Sequence, residues 1–77
     1  MYKIFKTVWK DGSILYSSEV SERPTFEDAV KNAYDMAEYW SRFQQEAEVK
    51  KTPNGAQVNY TNGNEHCSAI YEVFKNQ

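Results

Sequence analysis

Hydrophobic and polar positions change period twice along the chain. Tyr2 to Lys10 is rich in Ile, Val, Thr and aromatic residues, and Ile14 to Val20 continues that character, so both read as strands. From Thr25 to Phe43 the period becomes helical. Stepping 100° per residue gathers Phe26, Ala29, Val30, Ala33, Met36, Ala37, Trp40 and Phe43 into an arc of roughly 140°, the width of a helix face laid on a core. Glu27, Asp28, Lys31, Asp35, Glu38 and Arg42 fall on the opposite side. After the helix the two-residue period returns: Ala47 and Val49 share a side, then Ala56, Val58 and Tyr60, then a last strand from His66 to Lys75.

The punctuation agrees with these periods. Thr25 followed by Asp28 predicts an N-terminal capping box just after Pro24. Glu27–Lys31 and Glu38–Arg42 are acid-first i,i+4 pairs, the favourable orientation. Gln44 returns to the centre of the apolar arc, so the core-facing helix should stop near Phe43 or Gln45. Asp11-Gly12, Pro53-Asn54-Gly55 and Asn62-Gly63-Asn64 mark hairpin turns. Together they predict an α+β fold of order β-β-α-β-β-β, a mainly antiparallel sheet with one amphipathic helix on one face, and a single domain over residues 1–77.

The first and last strands do not fit that picture fully. Tyr2, Ile4 and Val8 point to one face while Phe5 and Trp9 point to the other. In the last strand Ala69, Tyr71 and Val73 oppose Ile70 and Phe74. A sheet with one solvated face should alternate apolar with polar. Strong twist, or a second chain on the uncovered face, would account for the pattern, and self-association as a homodimer is the simplest form of the latter.

Composition narrows the function classes. A chain of 77 residues supports one small core, and an aromatic content of 16 % compensates for its few Leu and Ile residues. A single cysteine excludes an internal disulfide. No signal peptide or long apolar run is present, so the chain reads as a complete, cytoplasmic gene product.

Candidate chemistry is sparse. His66 and Cys67 are adjacent in a strand and should point to opposite faces, which prevents a Cys–His nucleophilic pair. Asp35 and Glu38 share a solvated helix face with Lys31 and Arg42, where nothing would raise a carboxyl pKa. The three glycines, Gly12, Gly55 and Gly63, all belong to turns rather than to a phosphate loop. No catalytic, cofactor or metal-ligand set emerges, and the expectation is a non-enzymatic chain.

Binding is the remaining class. Lys3, Lys6 and Lys10 interleave with Phe5 and Trp9, a pattern that suits nucleic-acid stacking on a sheet, but the net charge of −2 opposes phosphate attraction. The lysines otherwise read as edge-strand protection against aggregation. Negative charge gathers on the segment 26–46, with five acids against two bases. Tyr34 and Tyr39 flank the apolar arc. The residues expected to contact a protein partner are Tyr34, Asp35, Glu38, Tyr39 and Arg42 on the helix, and Phe5 and Trp9 on the sheet.

In its short strands, its Asn-Gly hairpins and its helix opened by Pro-Thr-Phe-Glu-Asp-Ala-Val at 24–30, the chain resembles small phage and mobile-element accessory proteins, including anti-CRISPR and host-takeover proteins. The resemblance is architectural and carries over no functional residue. It implies an inhibitor that occludes a larger host protein, such as a nuclease or defence complex, in the host cytoplasm. A nucleic-acid-binding sheet and a structural homodimer are the alternatives.

Overall fold

A computed structural model describes residues 1–75. Its elements are β1 (Tyr2–Lys10), β2 (Ser13–Arg23), α1 (Phe26–Ser41), β3 (Gln45–Thr52), β4 (Gly55–Asn62) and β5 (Glu65–Lys75). The five strands form one sheet of order β2-β1-β5-β4-β3, and every neighbouring pair is antiparallel. The fold is therefore α+β with β-β-α-β-β-β order. The connection through α1 leaves one edge of the sheet, crosses its face and enters the other edge.

The hairpins arise where the turn residues dictate. Asp11 and Gly12 both adopt positive φ, 48° and 83°, the geometry that matches strand twist in a two-residue turn. This turn is tied to the start of β5: the Asp11 N–H donates to the His66 carbonyl at 3.0 Å, and the His66 N–H donates to Asp11 Oδ1 at 3.3 Å. The central pairing of β1 with β5 joins the two ends of the chain, with Ile4 opposite Val73, Lys6 opposite Tyr71 and Val8 opposite Ala69.

Thr25 caps the helix, its Oγ1 accepting the Asp28 N–H at 3.1 Å. The helix ends in tight i−3 hydrogen bonds from Arg42, Phe43 and Gln44, so Phe43 lies beyond it and is 67 % exposed rather than core-facing. Phe26 is also exposed, packing edge-on against Tyr2. The helix charges pair differently from the sequence expectation. Lys31 bonds Asp35 at 3.3 Å, and Glu38 accepts the Tyr34 hydroxyl at 2.6 Å instead of meeting Arg42.

The core is a meeting of small residues. Ala29, Ala33 and Ala37 have no exposed surface and face Ile4, Val8, Ala56, Val58, Ala69, Tyr71 and Val73. With only methyl groups on its buried stripe, α1 sits close to the sheet. Gly55 marks the tightest spot within the sheet: a Cβ there would collide with the Tyr71 carbonyl oxygen of β5, while the Ala33 methyl above it would be in ordinary contact at 3.4 Å.

That contact predicts an asymmetry between glycines. Gly55→Ala must displace backbone in the core and should cost about 3 kcal/mol or more. Gly12→Ala keeps an open surround and pays mainly for positive φ, about 1 kcal/mol. Urea midpoints of the two variants measure the difference; equal losses would contradict the close packing.

Candidate functional site

The helix does not cover the sheet evenly. It packs chiefly over β4 and β5 and reaches β1 and β2 only at its margin, where the Ser21 hydroxyl of β2 donates to Asn32 Oδ1 at 2.7 Å. Two surfaces are left open as a result.

The first is the face opposite the helix. Phe5 and Trp9 of β1 stand there with Ile70 and Phe74 of β5, and Phe5 meets Phe74 edge-on at 5.7 Å. Phe74 is 48 % exposed, and among the described residues no element covers this face. Polar neighbours break it up: Thr7 and Ser17 hydroxyls share a hydrogen bond at 2.9 Å, and Lys3 pairs with Glu19 at 3.2 Å. Towards the β3 edge the face dips into a depression of about 500 Å³ lined by Trp9, Glu48, Asn59, His66, Ser68 and Ile70.

The second surface is a groove of about 350 Å³ between α1 and β2, lined by Lys6, Val20, Asp35, Met36, Tyr39, Trp40 and Tyr71. One wall is α1 and the floor is β1 and β5, while β2 contributes Val20, which stands at a bulge. The strand carries bulges at Leu15 and Val20, each an extra residue opposite β1. Tyr16 and Val20 remain exposed beside the groove. On the helix side Tyr39 is exposed and stacks edge-on with Phe43 at 5.1 Å.

Lys6 lies at the floor of this groove. It belongs to a strand paired on both sides, so it is not an edge-strand guard as its sequence context suggested. It is only 8 % exposed, on the same face as Ile4 and Val8. Its Nζ sits 3.1 Å from the centre of the Trp40 ring and 5.6 Å from that of Tyr71. Among the described residues no carboxylate pairs with it. Burial lowers its pKa from the usual lysine value. The Trp40 indole N–H beside it is also buried and makes no hydrogen bond of acceptable geometry.

Tyrosines close the end of the cluster. Burial pushes the Tyr71 hydroxyl well above the usual phenol range, with Tyr16 and Tyr60 adding to the shift. Burial raises Tyr60 as well, reinforced by Cys67 and Tyr16 and partly offset by the Trp40 indole. Cys67 is buried on this side of the sheet, whereas His66 is exposed on the next residue of the strand. Among the described residues no group of three or more His, Cys, Asp or Glu side chains is placed to hold a metal ion, and no helix is long and apolar enough to cross a membrane.

The residues expected to recognise a partner divide between these surfaces. Phe5 and Trp9 lie on the uncovered face. Asp35 and Tyr39 line the groove. Tyr34 and Glu38 are bonded to each other, which raises the Tyr34 pKa, and Tyr34 lies on the far side of the helix with Lys51 Nζ 4.9 Å from its ring. Arg42 is exposed at the helix C-cap. The structure adds Tyr16, Val20 and Trp40, and moves Lys6 from a nucleic-acid or edge-strand reading into this groove. Of the interleaved lysines, Lys3 and Lys10 are engaged by Glu19 and Glu65, the latter at 3.1 Å.

No protein-family model, curated protein or solved structure matches this chain.

The tyrosine and lysine shifts predict an alkaline stability profile. Between the lowered Lys6 value and 10.5 the unfolded chain binds more protons, so stability rises with pH. Above pH 10 the unfolded Tyr71 ionises while the folded one does not, and stability falls. Tyr71→Phe should make that fall shallower. Urea midpoints taken from about pH 8 to about pH 11 would show both limbs; a decline already under way well below pH 10 would contradict the assignment.

Proposed function

We propose that this protein is a non-enzymatic binding module that occupies a surface of a larger protein and blocks it sterically. The observation that carries the reading is the groove between α1 and β2, where Tyr16, Val20, Tyr39 and the adjacent Phe43 expose large apolar side chains around a buried, unpaired lysine. Aromatic anchors beside a concave apolar surface are the usual seat of protein-binding energy. The architectural resemblance to phage and mobile-element accessory proteins extends the reading to an inhibitor of a host or defence protein in the cytoplasm, in the manner of anti-CRISPR proteins.

A second reading has its own support. The uncovered sheet face carries Phe5, Trp9, Ile70 and Phe74, and a second copy packed there as a homodimer would bury them. The engagement of Lys3 and Lys10 by carboxylates favours a protein partner over nucleic acid on that face.

The groove reading predicts that Tyr39→Ala with Val20→Ser leaves the melting temperature within a few degrees, since both residues are exposed. The same double variant should lose about tenfold or more in affinity for the partner recovered by the wild type from its native host. Retention of the partner at full affinity, or recovery of none at micromolar concentration, would overturn it. Sedimentation over a dilution series separates the homodimer: it predicts a dimer abolished by Trp9→Ser, and a strictly monomeric wild type rejects it.

A further inference from the structure

We infer that the groove between α1 and β2 receives an extended segment of a partner protein, and that a carboxylate on that segment pairs with Lys6. The inference rests on the binding-module reading and adds the chemistry of the occupant. Lys6 is a cation more than nine-tenths buried, and among the described residues no acid meets it. Such a charge is costly unless paired. The ring faces of Trp40 and Tyr71 offset part of that cost but supply no counter-charge. The Trp40 N–H is buried and turned to the Tyr60 side of the ring, so it neutralises nothing at Lys6. An incoming carboxylate would supply the missing counter-charge.

The approach to Lys6 is open from one side. Its neighbour across the β1–β2 ladder is Ser18, small and exposed, with Tyr16 and Val20 to either side along β2. β2 is the edge of the sheet, so its outward backbone groups are available to an added strand. A strand laid along it with an acid opposite Ser18 puts its next inward-facing residues near Tyr16 and Val20, both of which favour apolar partners. The acid at the rim does not oppose this arrangement strongly, because Asp35 is already bonded to Lys31 at 3.3 Å. Glu19 belongs to the other face, where it pairs with Lys3.

The test uses the whole protein labelled for NMR, with the Trp40 indole N–H and Lys6 side-chain signals as reporters. The probes are a blocked Val-Thr-Glu-Thr-Val peptide, the same peptide with Gln at its centre, and inorganic phosphate. The expected result is that the Glu peptide shifts both reporters and binds about tenfold or more tightly than the Gln peptide. Phosphate should leave the reporters in place. Lys6→Met should abolish the preference for Glu and raise Tm by about 5 °C, as removal of an unpaired buried charge does. Equal binding of the two peptides, or no shift at millimolar peptide, overturns the inference. A response to phosphate equal to that of the Glu peptide also overturns it, in favour of a free anion. A fall in Tm for Lys6→Met makes the lysine a structural element and overturns it again. If the partner from the native host binds wild type and Lys6→Met equally, this inference fails while the binding-module reading stands.

Discussion

A helix with its side chains is about 10 Å across. Five strands about 4.8 Å apart place their outermost backbones roughly 19 Å from one another. One helix therefore cannot cover this sheet, and the rest of the structure depends on where it lies. It lies over β4 and β5 because the smallest residues meet there: Ala29, Ala33 and Ala37 against Ala56 and Ala69, with Gly55 in contact beneath Ala33. Close approach maximises contact for a core with few large aliphatic groups. The same choice leaves β2 out from under the helix and puts β1 at its margin.

Lys6 is at that margin, and the margin decides its energetics. Moving an ammonium fully out of water costs several kcal/mol even after relaxation, while a ring face returns about 0.5–2 kcal/mol. The balance is unfavourable unless the head keeps contact with water or gains an anion through the groove. A methionine at position 6 would fill the same space among Ile4, Val8 and Tyr71 without that deficit. The charge is thus better explained by what approaches the groove than by what it does for the fold, in the way that functional sites commonly depart from the most stable choice.

The parts of the structure set by local chemistry were legible in the sequence. Thr25 announced the helix, Asp11-Gly12 and Pro53-Asn54-Gly55 announced turns, and the 100° step placed Tyr34 and Tyr39 on either flank of the apolar arc. What depended on distant pairing was not. Whether β1 is central or at an edge is decided by its register with β5, sixty-odd residues away, and no local pattern near Lys6 reports it. Read alone, a lysine between Ile4 and Val8 suggests an edge; between two paired strands it must lie beneath the helix margin. The Glu38–Arg42 pair failed for a related reason, because the Tyr34 hydroxyl competes for the same carboxylate. The β2 bulges did leave a trace. Ile14, Leu15 and Tyr16 are consecutive apolar residues in a strand that should alternate; the register slips at Leu15 and all three stay exposed.

The two edges of the sheet are protected in different ways, and the difference bears on binding. An exposed edge strand with apolar side chains invites uncontrolled pairing with other chains. Along β3, Glu48, Lys50 and Lys51 place charges through the middle of the strand, Pro53 follows it, and a backbone irregularity at Glu46, with φ of 50°, disturbs its start. Such an edge discourages any added strand. On β2 the irregularities stand at Leu15 and Val20, and between them Tyr16, Ser17, Ser18 and Glu19 run in regular register, with the one charge, Glu19, turned to the other face and paired with Lys3. A long strand cannot follow β2 past either bulge, which blocks open-ended stacking. A short one can still pair with the regular stretch between them. An edge broken at both ends, with its single acid turned away and neutralised by Lys3, is suited to one brief, terminated strand addition, and that stretch is the one that borders Lys6.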